Sequence, residues 1–353
     1  MPGRASIRGA LVALACAVVL AGAGASAARF DSPDGSAVVG VAVNENTSVS
    51  AWHAFPIARR GGARGTYVAF TWSQLEPRPG RYRLGEIAGL RTLARERGLK
   101  LLVNLAVVNG TIRETPGDLA DEPFDSPRLI GRFRRLVAAI RPFLARYVVF
   151  LSVGNEVDLY LGRRDSAWGA YRRFYARAVA ALHAAAPRLK VGVSTTFAGT
   201  TRTFPRLVTR LNAASDVEIV TYYPLARSLA VRPPAAPRQD FPRLLRLAGK
   251  RPLVFQEVGY PSSPRLGSSE AKQAEFVAHV YAAWKRVRGR VPFLTFFQLH
   301  DLTPSACREI ARYYGRAGEE ALQAYLCFLG LRRADGSPKP AWDEFVRGAS
   351  ALE

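Results

Sequence analysis

The chain has 353 residues, of which 48% are hydrophobic and 22% are charged, and its formal net charge is +22. This composition excludes long disorder and leaves room for one large domain, because α/β barrels of about 250 residues routinely fold as one unit. The charge comes from 44 arginines against 6 lysines, scattered along predicted helices and without basic runs interleaved with aromatic residues. We therefore expect no nucleic-acid partner.

The N-terminal segment has the order of regions that a secretory signal peptide shows. Arg4 and Arg8 precede an apolar stretch from Ala10 to Leu20, and small residues follow up to Ala27. We predict cleavage after Ala27, a mature domain of residues 28–353, and a secreted or periplasmic location. The apolar stretch is shorter than the about 20 residues of a spanning helix, so we expect no stable membrane insertion.

The three cysteines fall into two groups. Cys16 lies in the predicted signal peptide, where a lipid anchor is an open alternative although the preceding residues make a poor lipobox. Cys307 and Cys327 remain after export, and a pair in an oxidising compartment usually forms a disulfide. We predict this disulfide, with two buried free thiols as the alternative. Neither cysteine has the spacing of a metal site, and we expect no metal or cofactor.

Beyond the signal peptide, short β-rich runs alternate with amphipathic helical segments, and no repeat of solenoid length occurs. Such alternation favours a closed barrel of parallel strands, so we predict a single-domain (β/α)₈ TIM barrel of the α/β class. Residues 109–126 lack periodicity and are predicted to form a long functional loop. The predicted strands are 38–43, 67–72, 100–105, 148–153, 189–194, 217–222, a strand from 252, and 293–299; the predicted helices are 51–60, 84–98, 129–147, 168–185, 204–214, 241–249, 270–287, 306–329 and 341–351.

Two of the predicted strands deliver a glutamate at or near their ends. Glu156 follows strand four in LSVGNEVD, and Glu257 ends strand seven in LVFQEVGYPS. In a barrel the carboxyl ends of the strands share one face, so both carboxylates should lie there. A facing pair of carboxylates is the minimum equipment for cleaving a glycosidic bond. Alone, each glutamate is more often a solvated loop residue or helix cap; the preceding Asn155, whose amide can bind a sugar hydroxyl, favours the catalytic interpretation.

With these motifs the chain resembles the clan A glycoside hydrolases, a retaining (β/α)₈ superfamily that includes endo-galactanases, mannanases, glucanases and xylanases. Asn155-Glu156 matches the clan's Asn-Glu pair, and Glu257 in QEVGYPS matches its nucleophile. Tyr222-Tyr223-Pro224 is similar to the YYP of galactanase-like enzymes, so the resemblance makes Tyr222 and Tyr223 candidates for substrate binding. The motifs are closest to the endo-galactanase and β-1,3-glucanase branches. The resemblance implies that Glu156 is the general acid/base, that Glu257 is the nucleophile, and that a tyrosine steadies Glu257.

The chain also departs from the clan's pattern. The clan usually places a tryptophan at the end of strand eight, whereas this run is FFQLHD, and Phe297 is the candidate to stack against sugar instead. The arginine often found on strand two is missing from residues 67–72. Asn104 and His300, which close strands three and eight, are candidates to touch the sugar. Trp72 is a candidate for a sugar subsite, and core packing is the alternative for Trp72 and His300.

The sequence therefore predicts an exported, monomeric retaining β-glycosidase that cuts within a β-linked polysaccharide or oligosaccharide by double displacement with two glutamates. One alternative is a barrel that binds carbohydrate without cleaving it, since the aromatic residue on strand eight is altered. Another is a barrel with lyase or aldolase chemistry, which should show a Schiff-base lysine or metal ligands at strand ends. The positive charge leaves an acidic polysaccharide open as the substrate.

Overall fold

A computed structural model describes residues 37–144 and 147–352; the predicted signal peptide and Cys16 lie outside these residues. Eight strands follow one another in parallel around a barrel, and the eighth pairs with the first, Val39 lying opposite Leu294. The fifth strand consists of two segments on either side of Val193, one paired with the fourth strand and the other with the sixth. The predicted (β/α)₈ barrel is confirmed.

The observed elements agree with the predicted ones to within a few residues at most boundaries. The strands are β1 Val38–Val41, β2 Gly65–Thr71, β3 Lys100–Asn109, β4 Val148–Asn155, β5 Lys190–Gly192 with Ser194–Thr196, β6 Glu218–Tyr222, β7 Leu253–Val258 and β8 Phe293–Phe296. The helices are α1 Ala51–Arg60, α2 Trp72–Leu75, α3 Gly85–Arg97, α4 Pro127–Ile140, α5 Val157–Leu161, α6 Asp165–Ala185, α7 Pro205–Leu211, α8 Pro237–Ala248, α9 Glu270–Val287, α10 Pro304–Tyr313, α11 Glu320–Cys327 and α12 Pro340–Ser350. Within the described ranges, every helix is too short or too polar to cross a bilayer.

Side chains fill the inside of the barrel, so it is a packed core and not a pore. A buried cluster of apolar residues from β3, β4, β6, β7 and β8 occupies this interior: Leu102, Phe150, Ile219, Val254 and Phe293. These residues precede the strand ends, and the polar side chains of the same strands follow them in sequence. The interior therefore provides a rigid base above which the strand ends can hold functional groups.

The long segment after β3 is more ordered than its sequence predicted. Ile112–Arg113 forms a short strand antiparallel to the end of β3 and extends β3 to Asn109. The guanidinium of Arg113 donates to the carbonyls of Leu119 and Glu122, at 2.9 and 2.6 Å. These hydrogen bonds hold the segment in place, because the charged guanidinium pairs with carbonyls that would otherwise lack a partner. The segment thus fixes the position of Asn109 at the barrel mouth.

After β8 the chain forms a helical hairpin, which we define as α10 and α11 with their connection (residues 304–327). A disulfide joins Cys307 and Cys327, whose Cα atoms are 5.6 Å apart. This separation lies within the usual range of about 4.4 to 6.8 Å. The hairpin replaces the single helical segment 306–329 of the prediction, because α10 ends at Tyr313 and Gly315 then adopts a φ of +70°.

Removing this disulfide is expected to destabilise the protein. Cross-linking residues 20 apart should contribute on the order of 3 kcal/mol in the chain-entropy model. The double variant Cys307→Ser/Cys327→Ser should therefore show a free energy of unfolding lower by about that amount in denaturant titrations. Two free thiols in a mass spectrum of the unreduced wild-type protein would contradict the prediction.

Candidate active site

Glu156 and Glu257 reach the same cavity at the carboxyl ends of the strands. The cavity has a volume of about 940 Å³, and both carboxylates line it. Glu156 follows the last residue of β4 and adopts the left-handed conformation, with φ +48°, before α5 begins. A non-glycine residue in this conformation is uncommon and is typical of a strained, functional position. The structure thus brings together the two glutamates that the sequence singled out.

A β-bulge in β7 sets the direction of Glu257. Val220 of β6 pairs with Phe255 and Thr221 pairs with Glu257, so Gln256 is an extra residue in β7. Such a bulge locally disturbs the alternation of side chains along a strand. Adjacent Gln256 and Glu257 consequently both serve the barrel mouth: Gln256 Nε2 donates to Asn155 Oδ1 at 2.7 Å, and Glu257 lines the cavity.

Hydrogen-bond donors surround Glu257. The hydroxyl of Tyr223 donates to Glu257 Oε2 at 2.5 Å. Burial raises the pKa of Glu257 to about 7, and hydrogen bonds from Tyr223, Gln256 and Tyr67 oppose that rise. Donors to a carboxylate favour its ionised form. These donors therefore favour the ionised form of Glu257, which is the state that a nucleophile needs.

Glu156 has a different environment. The hydroxyl of Thr221 donates to Glu156 Oε1 at 2.6 Å. Burial and then the negative charge of Glu257 raise the pKa of Glu156 to about 8, against the effect of the Thr221 hydrogen bond. Two neighbouring carboxylates cannot both ionise without cost, so the one with fewer donors keeps its proton. Glu156 is thus suited to donate a proton.

An amide network holds Asn155 beside the two glutamates. Asn155 Nδ2 donates to Asn109 Oδ1 at 3.0 Å, and Asn155 Oδ1 accepts from Ser194 at 3.3 Å as well as from Gln256. Asn104 lies below them, fully buried, and donates to Gln256 Oε1 at 3.2 Å. An amide nitrogen carries two hydrogens, and one of those on Asn155 remains for a ligand. Asn155 can therefore bind a sugar hydroxyl, whereas Asn104 supports the network.

Only one of the two predicted tyrosines faces the cavity. Side chains alternate along a strand, so Thr221 and Tyr223 point to the cavity and Tyr222 points away from it. The hydroxyl of Tyr222 donates to Asp240 Oδ2 at 2.8 Å, and the ring is fully buried among the outer helices. The prediction that Tyr222 binds substrate is wrong, because side chains alternate along β6 and the cavity-facing tyrosine is Tyr223.

Trp72 and His300 are also wrongly predicted as sugar contacts. Trp72 begins α2 directly after β2, which turns its fully buried ring into the core, where Nε1 donates to Glu76 Oε2 at 2.9 Å. His300 is fully buried and its ring nitrogens lie 3.0 Å from the carbonyl oxygen of Asn44 and 3.2 Å from Asn46 Nδ2. In both cases the packing alternative describes the structure.

Phe297, the candidate to stack against sugar, lines the cavity, and its ring lies edge-on to that of Tyr223 with 6.4 Å between centroids. Other cavity residues were missed by the sequence analysis: Tyr67, Asn109, Thr221, Tyr314 and Tyr325. The alternation of side chains along β2 and β6 could have indicated Tyr67 and Thr221. No local sequence pattern indicates Tyr314 and Tyr325, the two tyrosines of the hairpin. Within the described residues, no group of three or more His, Cys, Asp or Glu side chains could hold a metal ion.

This chain shares its barrel architecture with solved structures of glycoside hydrolases. No protein-family model and no curated protein sequence matches it. Among solved structures, a GH5_18 variant from Bifidobacterium longum subsp. longum in complex with Manβ1-4GlcNAc has a TM-score of 0.67 at 16% identity, covering 89% of this chain and 78% of that one. The barrel is one that glycoside hydrolases use.

Two further structures have the same architecture. An exo-β-1,4-mannosidase from Opitutaceae bacterium strain TAV5 has a TM-score of 0.67 at 18% identity, covering 89% of this chain and 59% of that one. A family 39 glycoside hydrolase from Bacteroides cellulosilyticus WH2 has a TM-score of 0.62 at 16% identity, covering 89% and 63%. The structural neighbours thus include clan A glycoside hydrolases, the clan that the motifs resemble.

Proposed function

We propose that this protein is an exported retaining β-glycosidase. The observation that carries the proposal is the asymmetry between two glutamates at one cavity. Hydrogen bonds from Tyr223, Gln256 and Tyr67 favour the ionised form of Glu257, whereas for Glu156 the side-chain donor is Thr221. Environments that push two carboxyl pKa values apart assign one group as the acid and the other as the anion. The resemblance to clan A enzymes supports the same assignment of roles.

The proposed reaction has two displacements. Glu257 attacks the anomeric carbon while Glu156 gives its proton to the departing oxygen, so the glycosidic bond breaks as a glycosyl ester forms. Glu156, now ionised, takes a proton from water, whose oxygen attacks the anomeric carbon and releases Glu257. The sugar leaves with its original anomeric configuration, and both carboxyl groups return to their starting states. Asn155 is placed to bind the hydroxyl next to the anomeric carbon.

The proposed substrate is a β-linked polysaccharide or oligosaccharide that the enzyme cuts internally. Internal cleavage rests on the motif resemblance to endo-galactanases and β-1,3-glucanases, and export rests on the signal-peptide pattern before Ala27. Neighbours of this fold include a structure with bound Manβ1-4GlcNAc, an exo-β-1,4-mannosidase and a β-glucosidase. These neighbours make β-mannosides and β-glucosides the first substrates to test.

A substrate panel tests this function directly. The wild-type chain should release the aryl group from at least one aryl β-glycoside, and soluble fragments of mixed length from a dyed β-linked polysaccharide. Release of monosaccharide alone would contradict internal cleavage but not the glycosidase activity. Glycan binding in calorimetry without any hydrolysis would favour the non-catalytic alternative instead.

The stereochemical course should be retention. Double displacement at a β-glycoside gives the β-anomer first, and it requires carboxyl groups about 5 to 5.5 Å apart. Proton NMR of the hydrolysis mixture, recorded before mutarotation, should therefore show the β-anomer as the initial product. An initial α-anomer would mean inversion, for which a wider carboxyl separation and a water-activating base are needed.

A further inference from the structure

The helical hairpin after β8 covers the cavity that holds both glutamates. Ala306 and Ile310 of α10, Tyr314 after α10, and Leu322 and Tyr325 of α11 all line this cavity. Tyr314 packs closely on the end of β3, since a Cβ added to Gly110 would lie 3.1 Å from its ring. The hairpin is therefore a wall of the active site, and the disulfide holds its two helices together.

On one side, the hairpin contacts the residue that binds Glu257. The ring of Tyr325 lies edge-on to the ring of Tyr223, with centroids 5.4 Å apart and an interplanar angle of 78°. Phe297 meets Tyr223 edge-on as well. A phenol ring between two aromatic neighbours has few positions open to it, because edge-to-face contacts fix its orientation. The hydroxyl that donates to Glu257 is thereby aimed by the hairpin.

On another side, the hairpin contacts the residues that hold Asn155. Asn109 Nδ2 donates to the hydroxyl of Tyr313 at 3.2 Å, and that hydroxyl donates to Glu114. Asn109 Oδ1 in turn accepts from Asn155 Nδ2. The hairpin thus touches both the donor of Glu257 and the partner of the amide beside Glu156, and each contact joins residues more than 100 positions apart in the chain.

From these contacts we propose that Tyr325 is a positioning residue, which acts on the nucleophile Glu257 by fixing the ring of Tyr223. The proposal rests on the proposed glycosidase function and adds a role for a residue outside the barrel. Groups that face Glu257 from other elements are Glu156, Tyr67, Tyr223, Tyr314 and Tyr325 itself. Of these, Tyr223 is the one whose ring Tyr325 contacts.

A double-mutant cycle tests the proposal. Tyr325→Leu keeps apolar volume but removes the ring, and it should lower kcat on an activated aryl β-glycoside roughly 2- to 10-fold with little change in KM. Tyr325→Phe keeps the ring and should retain most of the activity. In a Tyr223→Phe background, Tyr325→Leu should cause no further loss, because the hydroxyl that Tyr325 aims is already absent.

The controls separate this role from general support of the fold. Arg308→Ala, an exposed change on α10, should have wild-type kinetics. If Tyr325→Leu fails to fold, as judged by thermal unfolding, Tyr325→Met replaces it, since methionine fills irregular gaps. Losses that add in the double variant, or a wild-type rate for Tyr325→Leu, would overturn the positioning role alone. A wild-type chain inactive on the whole panel would overturn the proposed function and this role with it.

Discussion

Replacing Glu257 by alanine is expected to lower turnover by about 10⁵-fold or more, because no other group can form the glycosyl ester. The side chain lies in a cavity large enough for a small anion once the carboxylate is gone. Added azide should therefore attack the anomeric carbon in its place while Glu156 still protonates the leaving group. A single displacement inverts the centre, so a β-glycoside should give the α-glycosyl azide, which NMR identifies.

The matched control is Glu45→Ala. Glu45 is an exposed carboxylate that lines the same cavity, and its removal changes the local charge as the loss of Glu257 does. This variant should hydrolyse substrate at close to the wild-type rate and form no glycosyl azide. Wild-type activity in Glu257→Ala would remove the nucleophile assignment, and with it the double displacement.

The fold could be predicted largely because local patterns agree with it. Helix α9 was predicted at its observed ends, Glu270 and Val287, because apolar residues recur at helical spacing after Ser269, whose side chain caps the first turn. The region 306–329 was predicted as one helical segment, and the turn at Gly315 divides it. The end of β3 was set too early, since its last residues are held by pairing with Ile112–Arg113, which no periodicity announces.

The two glutamates at the cavity could be located from the sequence because each has its own signal, an apolar run that ends at the barrel mouth. Tyr325 could not be predicted in this way, since its place at the cavity depends on which strands and helices meet above the barrel. The YYP motif shows the limit clearly. The motif contains two adjacent tyrosines. Thr221 points toward Glu156, and because side chains alternate along a strand, Tyr223 and not Tyr222 lies beside Glu257.

Replacing Glu156 by alanine should have an effect that depends on the leaving group. Protonation of the departing oxygen contributes about 10² to 10⁴-fold, so natural glycans and poor leaving groups should lose roughly that much. A dinitrophenolate leaves without a proton, so its glycoside should still form the ester on Glu257 at a rate near the wild-type one. The second step lacks its base, and the glycosyl-enzyme should therefore accumulate and be visible by mass spectrometry.

Azide should speed turnover of this variant too, but with the opposite stereochemistry from the Glu257 variant. It attacks the preformed glycosyl ester, a second inversion, and should give the β-glycosyl azide.

The pH profile gives an independent measure of the same role. Glu156 must be protonated to act as the acid, and because its pKa is raised to about 8, wild-type kcat/KM should fall as the pH rises through that value. With the dinitrophenyl glycoside, Glu156→Ala should lose this basic limb and keep the acidic one, which reports the ionisation of Glu257. An unchanged basic limb, or an α-glycosyl azide from this variant, would show that another group is the acid.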